Sequence, residues 1–85
     1  MNDDLEAKMR EAVARVEHEQ WCHWSQTLAA TENLSQGRLD RWKKLWVPYD
    51  DLPEGMKQAD RGWADAAIAA ARPFIEADVV VRRIM

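Results

Sequence analysis

Apolar residues recur at helical spacing along most of the chain, and turn residues cut that pattern into three helical stretches. The first is predicted from Asp3 to about Ala30, capped by Asn2 or Asp3, with Asp4 and Glu6 at the positive end of its dipole. Leu5, Met9, Ala12, Val13, Val16, Gln20, His23 and Trp24 form its main stripe. Ala14, His18, Cys22, Ser25 and Ala29 make a second row of small or half-polar residues on the opposite side, with Trp21 and Leu28 beside it. Two rows imply a helix covered on more than one side. After the linker from Thr31 to Leu34, Ser35 caps a short helix from about Gln36 to Leu45, whose shared face is Leu39, Trp42 and Trp46. Pro48 disfavours helix at Val47.

The string Val47-Pro48-Tyr49-Asp50-Asp51-Leu52-Pro53 is a rigid connector with two prolines. Pro53 suits the first turn of a third helix, predicted to run to about Ala71 with the stripe Met56, Trp63, Ala67, Ala70 and Phe74. Gly55 and Gly62 weaken it, by up to about 1 kcal/mol each relative to Ala. Pro73 is expected to kink or end it. The β-branched tail from Val79 to Ile84 reads as a short strand more readily than as a frayed helix end. The expected fold is therefore mainly α: one small three-helix domain over residues 1–85, with an extended connector and a short C-terminal strand.

Composition narrows the class. At 85 residues the chain makes one small domain. Nominally apolar residues are 47%, but thirteen are Ala, so five Trp and four Met must supply much of any core. No apolar run reaches bilayer length, and no basic-then-apolar leader opens the chain, so a cytoplasmic protein without a membrane span is expected. Cys22 is alone and forms no internal disulfide. A net charge of −3 gives no general attraction to nucleic acid.

Asp60 is the most informative position for chemistry. It falls inside the apolar stripe of the third helix, where a carboxylate is costly unless bonded. His18, an Arg, an indole N–H and a bound ligand are the candidate partners. Such an acid either pins two helices together or lines a site. Arg61, with Lys57 and Arg72, forms a basic edge suited to phosphate, or a solvated face. Arg38, Arg41, Lys43 and Lys44 interleave with Trp42 and Trp46, a local anion site in an acidic chain. His18 and Cys22, and Glu19 and His23, are pairs at i, i+4 on different faces. Neither supplies the three or four ligands of a metal site, and His18 with Cys22 lacks a third group to orient a base. No phosphate-binding Gly loop or paired carboxylates occur, so neither an enzyme nor a cofactor is expected.

The strings His18-Glu19-Gln20-Trp21 and Val47-Pro48-Tyr49-Asp50-Asp51-Leu52-Pro53, followed by Lys57 and Asp60-Arg61, resemble the ryanodine-receptor repeat (RyR domain), in a short single-copy bacterial or phage version. The resemblance covers roughly residues 13–72. It departs where the family carries a GWxYG-like element, which Gln36–Trp46 replaces here. The resemblance implies a small, mainly helical, non-catalytic module. In the calcium channels an adenine nucleotide binds between such repeats; in prokaryotes the domains accompany nucleotide signalling and phage defence. It therefore implies a sensor or sponge of a nucleotide-derived small molecule in a bacterial or infected cell. The expected ligand set is His18, Trp21, Lys43, Trp46, Tyr49, Asp60 and Arg61. An aromatic ring would stack the base, Asp60 or Glu19 would accept from hydroxyl or amino groups, and Arg61 or Lys43 would face phosphate. The competing expectation is a protein-interaction or structural module that forms homo-oligomers or binds a protein partner, through exposed Trp46, Leu28 or Val79–Val81.

Overall fold

The computed structural model describes the backbone of residues 3–84 and the side chains of residues 3–78. Three helices carry the fold: α1 (Asp3–Thr31), α2 (Gln36–Lys43) and α3 (Glu54–Ile84), with one 3-10 turn at Tyr49–Asp51. The domain is mainly α, with no strand among the described residues. Asn2, one expected cap of α1, lies outside them. Acidic Asp3, Asp4 and Glu6 open α1 as its dipole favours. Ser35 caps α2, its hydroxyl accepting from the Arg38 N–H at 3.2 Å. That helix stops at Lys43, so Trp46 stands on the extended segment beyond it and not on the helical face with Leu39 and Trp42.

α1 and α3 form an antiparallel hairpin, and its register is written in charge. Arg72 donates to Glu6 at 2.6 Å, Arg10 to Asp65, and Arg61 to Glu11 at 2.5 Å. Residue numbers fall on one helix as they rise on the other, so the last turns of α3 run past the start of α1. The expected C-terminal strand is corrected: α3 is helical through Ile84. A lone strand would leave its backbone groups unpaired, whereas β-branched residues cost a helix only tenths of a kcal/mol each. Pro73 does not end the helix. The Ala69 carbonyl it leaves without an N–H partner sits on an exposed turn, where water can serve it, and the Ala-rich turns before it are the best helix formers available.

The core is small. Ala14 and Ala64 are fully buried, and Tyr49 and Leu52 nearly so; Val13, Leu45 and Val47 pack against them. Two alanines let the helices approach closely, and the connector between its prolines plugs the gap. Much of both expected main stripes faces away from this core, although Val13 packs against it. On α1 the inward residues are Ala14, His18 and Ser25, from the second row, while Val16 of the main stripe is 59% exposed. On α3 Trp63 and Phe74 are 69% and 78% exposed. Asp60 nevertheless lies at the helix interface, because the inward row there is Lys57, Asp60, Arg61, Ala64, Ile68 and Arg72.

Two substitutions on neighbouring positions of α3 separate packing from propensity. A Cβ added at Gly62 meets nothing within 4 Å, so Gly62→Ala stabilises the chain by up to about 1 kcal/mol. Ala64→Leu forces the hairpin apart and destabilises it by about 1–3 kcal/mol. Urea denaturation followed by circular dichroism measures both.

Candidate functional site

Two members of the inward row of α1, His18 and Ser25, are polar, and each has found a partner on the segment that follows α2. The His18 Nε2–H donates to the Val47 carbonyl at 2.6 Å. The Trp46 indole N–H donates to the Ser25 hydroxyl at 2.9 Å, and that hydroxyl donates in turn to the Trp21 carbonyl at 2.7 Å. Cys22 lies between them, its sulfur 3.4 Å from His18 Nε2. These bonds fix residues 45–47 across α1 and so place Tyr49 and Leu52 in the core. They also turn the other edge of the imidazole, Nδ1, toward α3, where it stands 4.0 Å from Asp60 Oδ2.

His18, Trp21 and Asp60 meet in one cleft of about 230 Å³, completed by Leu45, Leu52, Met56 and Ala59. Trp21 and Asp60 also border an adjoining cleft of about 300 Å³ with Glu17, Gln20, Trp24 and Trp63. Trp21 lies stacked beside the His18 ring at 6.2 Å. Trp42 of α2 packs edge-on to Trp21 at 5.8 Å and tilted to Trp24 at 6.0 Å, with the Arg38 guanidinium 5.9 Å above its ring. The short basic helix is thus held against the indoles that line the clefts, which is where Lys43 belongs; its side chain is exposed. The Asp60 carboxylate keeps 20% of its side-chain surface open and, among the described residues, accepts no hydrogen bond. Burial pushes its pKa above the ordinary carboxylate value; nearby His18 opposes that shift and Glu17 adds to it.

Tyr49 and Arg61 belong to a second network further along α1. The Tyr49 hydroxyl donates to Glu11 Oε2 at 2.8 Å, and Arg61 bridges Glu11 and Glu54 at 2.5 Å each. Arg15 and Lys57 lie over the Tyr49 ring at 5.3 and 5.8 Å. Hydrogen bonds from Arg61 and Tyr49 hold Glu11 below the usual carboxylate range, and Arg61 does the same for Glu54. Burial raises the Tyr49 hydroxyl. Of the seven residues expected at one site, the cleft holds His18, Trp21 and Asp60. Trp46 supports it from behind through Ser25, Lys43 stands on the adjoining basic helix, and Tyr49 and Arg61 tie the connector to α1 and α3.

Ser25 and Glu11 escaped the sequence reading as bonding residues. The available signal for the first was its place in the half-polar second row of α1, one turn beyond Trp21. Burial, with Asp60 and Glu19 nearby, raises the Cys22 pKa, which keeps it a thiol beside His18. Among the described residues no group of three or more His, Cys, Asp or Glu is placed to hold a metal ion, and no helix is long and apolar enough to cross a membrane.

No protein-family model, curated protein or solved structure matches the chain.

Ser25→Ala leaves the Trp46 indole N–H unpaired in a half-buried setting and costs about 1–3 kcal/mol, read by urea denaturation. For Asp60 the sign follows from its raised pKa. The folded chain holds that proton more tightly than the unfolded chain, so ionisation removes stability as pH rises through the raised value. Asp60→Asn therefore gains stability relative to wild type between about pH 4 and pH 7, the range above the ordinary carboxylate pKa. Glu6, Glu11 and Glu54, whose values are lowered, act oppositely in both proteins: their contribution is present at neutral pH and lost on acidification.

Proposed function

We propose that the chain is a non-catalytic binding module for a nucleotide-derived small molecule, seated in the cleft shared by Trp21 and Asp60. The observation that carries this reading is an indole face and a carboxylate that bonds no described residue in one cleft, with Trp42 of the basic helix α2 packed against the same indole. A base stacks on Trp21. The ribose hydroxyls or an exocyclic amine donate to Asp60. Phosphate, repelled by Glu17 and Asp60, extends toward Arg41, Lys43 and Lys44 on and after α2. Arg61 is committed to two carboxylates, so the phosphate contact falls to α2 and not to the K…DR edge. The likeness of HEQW and VPYDDLP to the RyR domain supports the same ligand class. A cytoplasmic sensor or sponge of a signalling nucleotide in a bacterial or phage-infected cell is the setting this reading fits.

Titration with adenosine monophosphate, ADP-ribose and a cyclic dinucleotide, followed by Trp fluorescence, tests it. Binding is expected for at least one, weakened about tenfold, or ~1.4 kcal/mol, by Asp60→Asn. Trp21→Ala is expected to abolish most of the signal change, and raised salt to weaken only the phosphate-bearing ligands. No response from any of them at millimolar concentration overturns the proposal.

A further inference from the structure

Parts of both apolar stripes that periodicity marks for burial are left on the outside of the hairpin, Val16 and Phe74 among them. Met9 and Val13 from the α1 stripe line one groove with Ala67, Ile68, Ala71 and Ile75 of α3, about 330 Å³ in volume, and Arg72 and Glu76 stand at its edge. Phe74, the most exposed of the large apolar residues, stands at its margin beside Ile75. Charge reaches this groove from α3 only at its edge, through Arg72 and Glu76. From residue 64 to 76 its charged residues are Asp65, Arg72 and Glu76, and the first two are bonded to Arg10 and Glu6 of α1. Apart from Glu76, what remains facing outward there is Ala, Pro, Phe and Ile. An amphipathic helix that ends at a solvated surface carries charge on that side.

We infer that this face is the interface with a second copy of the chain, which packs the same face against it about a two-fold axis to make a four-helix bundle. The area argues for a copy and not for a small ligand. A compact monomer of 9.9 kDa presents about 5,200 Å². This chain presents 6487 Å², an excess of about 1,300 Å² over that scaling. An obligate homodimer hides roughly 1,000–2,500 Å² on each protomer. The radius of gyration, 17.1 Å, likewise exceeds the about 12 Å of a compact domain of this length. Four buried apolar residues among those described, and a lone Cys22, are a slight foundation for a free-standing fold, and association is the usual remedy. A lipid surface fits less well, because helices that lie on membranes keep free Lys and Arg beside the apolar face. Arg61 and Arg72 of α3 are spent on Glu6, Glu11 and Glu54. The geometry for self-packing is present: Ala67 and Ala71 form a low floor that admits a neighbouring helix, and Phe74 is a protruding side chain for the groove opposite.

Sedimentation equilibrium over a wide concentration range reads the mass directly, and a dimer of twice 9.9 kDa is expected. Its melting temperature should rise with concentration. Ala67→Glu, which adds a charge to the groove floor, is expected to raise the dimer dissociation constant at least tenfold. Because that variant risks unfolding, a second measurement uses a milder change. Ala67→Cys in a Cys22→Ser background should be cross-linked between copies by a short bis-maleimide, and Glu32→Cys in the same background should not. A wild-type chain that stays monomeric at every concentration overturns the inference, including one that is monomeric but sediments with phosphatidylcholine–phosphatidylglycerol vesicles. A dimer that folded Ala67→Glu leaves intact, or that cross-links equally from either Cys, places the interface elsewhere and overturns it too.

Discussion

The fold turns on the bonds that cross from α1 to residues 46 and 47. A small helical hairpin with two alanines at its closest approach has little apolar area with which to hold a third segment. Here His18 and Ser25 do it with directional bonds from a buried helical face, each satisfied, so that their burial costs little. Once Val47 and Trp46 are fixed, the connector between Pro48 and Pro53 has almost no freedom left. Tyr49 and Leu52 drop between the helices, and α3 starts where Pro53 allows it. The imidazole that anchors the connector also faces Asp60, so the architecture and the candidate cleft share a residue.

A second constraint sets how α1 and α3 lie against each other. Glu6, Arg10 and Glu11 on one helix meet Arg72, Asp65 and Arg61 on the other with alternating sign, and sliding by a turn would place like charges together. Exposed pairs of this kind contribute little stability each. Their value here is specification of register, which the small apolar core leaves weakly defined. Glu11 does most, since Tyr49 and Arg61 both bond to it and it joins connector, α1 and α3 at one carboxylate.

Helix positions were legible because caps, prolines and spacing are local signals: Ser35 and Pro53 stand where the chain needed them. Facing was legible only in part: the second row of α1 was expected to be covered, but the main stripes were expected to be covered too. Periodicity says that Met9, Val13 and Val16 share a side, and likewise Met56, Trp63 and Phe74, but not whether the same molecule covers that side. The true contact row of α1 is Ala14, His18 and Ser25, which hydropathy ranks low and which works through close approach and bonds to main-chain and indole groups. Asp60 was placed at the interface from a stripe that itself faces outward. The sequence offers His18 as one partner for it, while the commitment of Arg61 to Glu11 and Glu54 depends on tertiary proximity that spacing along one helix does not encode. The C-terminal strand was misread because β-branched residues are a weak bias when no second strand exists to pair with.

All five indoles gather in the half of the molecule that bears the cleft: Trp21, Trp24 and Trp63 around it, Trp42 against two of these, and Trp46 behind them on Ser25. The other half, around Met9 and Ile75, has none. Emission from this chain is therefore a spatially selective signal. It reports whatever enters or disturbs one end of a rod 58 Å long and stays nearly blind to events at the far end, so two processes on one small molecule can be watched apart without attaching a dye.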